Sequence, residues 1–551
     1  MNAITLQVNA RNLVQHLQFA FTKRTTFLAE LMQNARRAGA TEVSFTYDET
    51  KQQLTVSDDG CGIANMATLL TVAESGWDSA IQEAEHPYGL GFLSALFAAS
   101  YVTVESNRQR IAFAPSAALN FEPIPIALSS VEAGTRIVLD GITFNPEGAL
   151  YDYARGFPIP VYFNGTALPR PHALDSGLEF QPYDEGQFSI FELHAPLRGT
   201  RIGTKDVVLY LQGLPIRQVR PLFRGREINI VHLDRKRFTG RLPDRDTLVD
   251  ESTALNAITS RINNVWRERL QELASTLPQD EFAQSSLATL TFWNALDLLD
   301  SCPFLPPQVL DRYSSYPRAC DDHSLLLDRF SSEPIPREQF ESKTLTVFQV
   351  LDQPYAGDPF QRAMYLFTLQ APFIWRTLLE PSHWIHRYVI PLSDDDLELE
   401  LCEPYEYAVY RGHWIYDTPV VFCKSAIIHG PAGPARISRA FVYGQDPIRN
   451  LDCLPPSHRR ELVVVPESEH SGDVVEQLCE FIDDSDHYHE DDAIREAELF
   501  ERFILSHRRD TAGALLKRIL KEANAQSYPN LCGKTFAVRI DSQTIHIQEA
   551  Q

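Results

Sequence analysis

The 551-residue chain is short of paired cysteines, of basic residues and of long apolar runs, and each shortage excludes something. Its eight cysteines, Cys61, Cys302, Cys320, Cys402, Cys423, Cys453, Cys479 and Cys532, are scattered, with no Cys-x-x-Cys pair. Zinc-site spacing is therefore missing, and reduced structural thiols are expected. No basic segment followed by an apolar core opens the chain, and the longest apolar stretch, residues 89–104, contains serines and is too short for a bilayer. A cytoplasmic protein with no membrane partner is the expectation. Lys plus Arg number 50 against 73 Asp plus Glu, a net charge of −23, which disfavours a general coat for nucleic acid unless basic residues cluster locally. No internal repeat and no low-complexity tract is visible.

What is present is ordinary for a globular chain: 44% hydrophobic and 22% charged residues, enough to fill a core. At roughly 150 residues per domain the length implies about three or four. Residues 1–145 alternate helical and strand patterns. Thr26 precedes Phe27, Leu28, Leu31, Met32 and Ala35 at helical spacing, and Gly39 stands where a C-cap ends that helix. Strand-like runs follow at 42–47 and 53–57, then a helix at 92–99 and strands at 101–105 and 135–139. Asn145, Pro146, Glu147 and Gly148 form a turn-rich junction, after which Asn164-Gly165 signals a hairpin. A second domain, 146–275, closes on a helical stripe of Leu255, Ile258, Ile262, Val265, Trp266, Leu270 and Leu273. Residues 276–551 are richer in proline and aromatics, with acidic stretches, and read as an α+β region of one or two subdomains.

Four short elements carry the chemistry. Glu30 and Asn34 are spaced i, i+4, so a carboxylate able to deprotonate water and an amide suited to Mg²⁺ share one helix face. Asp58-Asp59-Gly60-Cys61-Gly62 follows a strand. An acid there can accept from an exocyclic amine, while glycines let backbone approach a flat base. Tyr88-Gly89-Leu90-Gly91-Phe92 leads into an apolar helix, presenting free N–H groups to phosphates. Gly134-Thr135 precedes a strand. Singly, each reads as readily as a solvated helix face or a turn; their order is what is specific.

That order resembles the GHKL ATPases of the Bergerat ATP-binding fold: gyrase-type topoisomerases, ninety-kilodalton heat-shock chaperones, histidine kinases and MutL mismatch-repair proteins. Residues 30–41 and 58–63 look like MutL, and residues 88–97 and 134–139 like the chaperones. The resemblance implies an α/β fold, an α+β sandwich, over 1–145 and a transducer-like α/β domain over 146–275. It implies Glu30 as general base, Asn34 as the Mg²⁺ ligand, Asp58 as acceptor for the adenine amine, and Gly60 and Gly62 as walls of the base pocket. Gly89 and Gly91 would line the phosphates, Phe92 would join the nucleotide-binding set, and Thr135 would support the adenine side. Residues 64–87, with Ser75-Gly76, would form a lid. The chaperones carry a further glycine where this chain has His86, followed by Pro87, so ATP binding with slow hydrolysis is expected.

Between Arg201 and Arg245 eleven Lys or Arg stand against four Asp or Glu, a local excess of +7. In GHKL clamps the domain after the ATPase offers a basic residue to the γ-phosphate, a role open here to Lys236, Arg237 or Arg241. The resemblance therefore points to an ATP- and Mg²⁺-dependent homodimeric clamp acting on a protein client. The alternatives are a clamp on nucleic acid through the 201–245 patch and a nucleotide-sensing scaffold with little turnover. His487-Tyr-His489, among Glu490, Asp491 and Asp492, reads as an acidic solvated loop.

Overall fold

The computed structural model describes residues 5, 9–17, 19–21, 23–72, 77, 91–217, 227–242, 244–320, 322–375, 378–444, 461–467, 472–483, 485, 487–509 and 511–550. They form two compact units, Met1–Ser275 and Thr276–Gln551.

In the first unit, α1 (Ala10–Leu17) precedes α2 (Thr26–Arg37). Phe27, Leu28, Leu31, Met32 and Ala35 are all buried, as their helical spacing requires. Gly39 takes φ +70 and its N–H donates to Arg36 O at 3.0 Å, while Ala40 N–H reaches Ala35 O at 3.1 Å, so the last turn closes through a left-handed glycine. Helices α3 (Gly91–Ala98), α4 (Pro115–Leu119) and α5 (Glu147–Ala154) follow, and α2 packs on α3 and α5.

The sheet beneath comprises β1 (Val43–Asp48), β2 (Gln53–Asp58), β3 (Tyr101–Ser106), β4 (Gln109–Phe113), β5 (Ala127–Leu128), β6 (Thr135–Asp140), β7 (Val161–Phe163) and β8 (Thr166–Ala167). Its order is β5-β4-β3-β6-β2-β1-β7-β8. Strict alternation puts Val43, Phe45, Leu54, Val56, Val102, Val104, Ile137 and Leu139 on the face that packs with the helices. The Asn164-Gly165 hairpin forms, with both residues at positive φ, but it joins β7 to β8 at the edge of this same sheet. The sheet thus runs past the turn-rich junction at 145–148. β7 pairs in parallel with β1, and Val161 and Phe163 enter the same core.

A second sheet holds β9 (Gln181–Tyr183), β10 (Gly186–Ser189), β11 (Val207–Leu211), β12 (Leu214–Arg217) and β13 (Asn229–Leu233), in the order β12-β11-β13-β10-β9. The unit ends in α6 (Glu251–Thr276), whose Ile258, Ile262, Val265, Trp266, Leu270 and Leu273 are buried. Thr276–Gln551 has its own core, with a sheet centred on the long strands Glu398–Tyr410 and Thr418–Gly430. Among the described residues no helix is long and apolar enough to cross a membrane.

Beside the second sheet, Arg155 Nη2 donates to His172 Nε2 at 3.1 Å, which leaves Nδ1 to donate to Tyr210 OH at 2.7 Å. His232 Nε2 donates to His172 O at 2.7 Å and its ring stacks on Tyr210. Burial first, then the Arg155 guanidinium, lowers the His172 pKa from 6.5 to about 4. A histidine with a depressed folded pKa stabilises fully above its unfolded value and loses that contribution as pH falls toward the folded one. His172→Gln removes the titrating group. Its melting temperature is expected to fall less than the wild type's between about pH 6.5 and 4; equal slopes would show that His172 does not titrate on unfolding.

Candidate functional site

Glu30 is buried on α2 and Asn34 sits one turn on, partly exposed, so both project from one face as the spacing requires. The carboxylate of Glu30 lies against Gly91, the first residue of α3, where a Cβ would collide with Glu30 Oε2. Only glycine lets the N-terminus of α3 come this close, and that terminus carries unsatisfied N–H groups and the positive dipole end. Asn34 Oδ1 accepts a long 3.4 Å hydrogen bond from Arg37 Nη1, which leaves the amide largely free for a ligand.

Two adjacent acids end β2, and the fold separates their roles. Asp59 is exposed and tethers the segment after α2: it accepts from Thr41 N at 2.7 Å, from Glu42 N at 3.2 Å and from the Thr41 hydroxyl, and the Thr41 bonds first of all lower its pKa. Asp58 is largely buried, and burial raises its pKa against the pull of the Gly60 N–H, which donates to Oδ1 at 3.0 Å. Among the described residues Oδ2 has no hydrogen-bond partner. A partly buried carboxylate with one oxygen left open is an acceptor available to a donor.

The corner around Asp58 is built from backbone. A Cβ on Gly60 would press on Ala38, and Cys61 N–H donates to Ala38 O at 2.9 Å, so the turn rests on the end of α2. Gly62, at φ +72, has no room for a side chain beside Ser106 and Asn107. Gly134, at φ +74, lies on the Asp58 carbonyl. Thr135 is buried and stands in register with Asp58 on β2 and with Ser106 on β3. Ser106 ties these pieces together: its hydroxyl donates to Gly134 O at 2.6 Å and accepts from Ile63 N at 2.8 Å. Phe92 is buried in the core. Each of these glycines lets neighbouring protein atoms approach more closely than a Cβ would allow, so the turn after β2 and the start of β6 close tightly around Asp58.

The second domain reaches this site through Arg245, whose Nε lies 3.6 Å from Glu30 Oε1. Asp244 accepts from the Thr26 hydroxyl, and Asp246 pairs with Lys23 at 2.8 Å. On the other flank Gln33 Nε2 donates to Gln212 O at 2.9 Å in the β11–β12 turn. Lys236 and Arg237 are exposed. The backbone N–H of Lys236 donates to Asp234 Oδ1, and the Arg237 charge acts on Glu185. Neither is paired with Glu30. Arg241 is also exposed.

Gly89, His86, Pro87 and most of the expected lid lie outside the described residues. An apolar cavity of about 320 Å³, walled by Met66, Leu70, Leu93, Leu96 and Ile111 among others, lies in the same domain without Glu30 or Asp58 in its lining. Size alone would have chosen that cavity; the acids and glycines mark a different place. Two contributors were not singled out from sequence. Ser106 gives no signal beyond ending a strand, and Arg245 is one of eleven basic residues in the 201–245 stretch with nothing local to distinguish it.

Residues 22–122 match a family model described as histidine kinase-, DNA gyrase B-, and HSP90-like ATPase. The match supports membership of the GHKL superfamily, and the N-terminal domain is accordingly a GHKL-type ATPase domain. Such domains bind ATP, and their families are in general ATPases. The chain matches no curated protein.

A carboxyl whose folded pKa is raised stabilises below its unfolded pKa and loses that contribution as pH rises through the folded value. Ionised Asp58 therefore costs stability at neutral pH. Asp58→Asn in nucleotide-free protein is expected to melt at or above the wild-type temperature at pH 7.5, with its relative advantage shrinking toward pH 4. A variant less stable by the same margin at both pH values would contradict the burial argument.

Proposed function

We propose that the protein is an Mg²⁺-dependent ATP hydrolase with slow turnover, working as a nucleotide-gated homodimeric clamp on a protein client. The observation that carries the reading is Asp58, partly buried at a strand end with one oxygen open beside Gly60 and Gly134, together with a buried Glu30 packed on Gly91. Asp58 accepts the adenine amine, and Gly60 and Gly62 admit the flat base. Thr135 buttresses that side through Ser106. The phosphates run toward Gly91 and the N-terminus of α3. Asn34 would hold Mg²⁺, which would supply charge neutralisation to the phosphates. Glu30 orients and deprotonates the attacking water.

Arg245 is the cation of the second domain best supported as the group that meets the γ-phosphate, since it already lies on Glu30, whereas Lys236 and Arg237 would have to travel. Binding energy spent on drawing that arginine to phosphate moves the second domain against α2, and this is how a nucleotide gates a clamp. An acidic chain of net charge −23 favours a protein client over nucleic acid.

The test is light scattering and steady-state turnover with Mg-ATP. Glu30→Gln should bind ATP and hold a dimer while hydrolysis falls about 10²- to 10⁴-fold, the usual worth of a general base. Asp58→Asn should lose ATP binding and form no dimer. Unchanged turnover in Glu30→Gln would remove it from the mechanism, and a wild type that stays monomeric at saturating ATP would refute the clamp.

A further inference from the structure

We propose that Arg37 is a positioning residue that lowers the affinity of the nucleotide site for its divalent cation by lying on the amide oxygen of Asn34; this rests on the reading of Asn34 as the Mg²⁺ ligand. Arg37 stands three residues beyond Asn34 on α2, on the same side of the helix. Its Nη1 donates to Asn34 Oδ1 at 3.4 Å, and its Nη2 to Gln212 Oε1 at 3.5 Å. Both bonds are long, but a charge acts as the inverse of distance, without the steep decline of a hydrogen bond. Arg37 is only 8% exposed, so little water screens it from that oxygen.

The second domain holds the guanidinium in this place. Gln212 and Gly213 make the two-residue turn between β11 and β12, at φ +55 and +84, the left-handed pair that a type I′ hairpin uses. A Cβ on Gly213 would strike Pro158 Cδ, and Gly156 O lies beside it, so the turn is pressed against residues 156–158. Gln33, 2% exposed, grips the turn from α2: its Nε2 donates to Gln212 O at 2.9 Å, and its Oε1 accepts from Arg36 Nε at 3.0 Å. The backbone of Gln212 is thus fixed from both sides, and its side-chain amide is aimed at Arg37.

The consequence for a cation follows from the donor set. The amide oxygens of Asn34 and Gln212 accept from the guanidinium without cancelling its charge, since neither is an acid. A carbonyl oxygen has two lone pairs, so Asn34 Oδ1 can still take a cation on the second one. That cation then shares its oxygen with a positive group and is repelled by it. Asn34 is therefore a weaker ligand here than an amide with no cation beside it, and the second domain, through Gln212, sets how much weaker.

Calorimetric titration with ATP in Mg²⁺ and again in EDTA tests this without turnover, because the ratio of the two affinities isolates the contribution of the cation. Arg37→Gln, which removes the charge and keeps an amide donor, should raise that ratio about three- to ten-fold over the wild type, the effect of one neighbouring charge in a partly screened site. Arg37→Lys keeps the charge and should stay within about two-fold of the wild type. Gln212→Asn preserves the positive-φ turn and the carbonyl that Gln33 uses, but is too short to hold the guanidinium. It should raise the ratio by less than Arg37→Gln does, and it tests the same claim should Arg37→Gln fail to fold. An unchanged or lowered ratio in Arg37→Gln or in Gln212→Asn, or an equal rise in Arg37→Lys, overturns the proposal and leaves the metal reading standing. If Asn34→Ala has the wild-type ratio, Asn34 is not the ligand, and the proposal falls with that reading.

Discussion

Asp58 is a carboxylate that the fold partly buries and to which the Gly60 N–H donates on one oxygen. Everything else around it can be understood as the apparatus that makes this tolerable. The neighbouring Asp59 is spent on tethering Thr41 and Glu42, so the two acids do not compete for one role. Gly60, Gly62 and Gly134 remove side chains from three directions, and Ser106 ties the turn after β2 to the start of β6. The unfolded chain would hydrate both oxygens of Asp58, so native burial is a standing cost that a donor on the ligand offsets. A site that is mildly unfavourable when empty is well suited to respond to its ligand.

The second constraint is that α2 belongs to two domains at once. Its apolar face, Phe27, Leu28, Leu31, Met32 and Ala35, is locked into the core of the first sheet. Its polar face carries Glu30 and Asn34, and its flanks are held by the second domain at Thr26 and Gln33. A rigid helix packed on one side and gripped on the other transmits small displacements faithfully, because close-packed interiors do not absorb them. The ion pair between Arg245 and Glu30 is the place where the polar face of α2 meets residues 244–248.

Much of this was legible in the chain, for local reasons. The helix of Glu30 announces itself through apolar spacing and a glycine stop, and Asp58 through its place at the end of an alternating strand. What was not legible depends on register or on distant pairing. Ser106 matters because β3 and β2 flank β6 in a register that puts it and Asp58 opposite Thr135, and nothing near Ser106 encodes that. β7 joins the first sheet by parallel pairing with β1, a contact made across more than a hundred residues. Arg245 was counted in the basic 201–245 stretch but not singled out from it, because its approach to Glu30 depends on long-range pairing of Asp244 with Thr26 and Asp246 with Lys23.

The central claim is that one buried acid reads the exocyclic amine of adenine. Calorimetric titration of the wild type with ATP and with inosine triphosphate tests it most directly, because the two ligands differ where Asp58 would act: inosine offers a carbonyl acceptor in place of the amine donor. The account predicts that ATP binds about 100-fold tighter or more, the penalty for facing a carboxylate with an acceptor in a desolvated pocket. Equal affinities would contradict it.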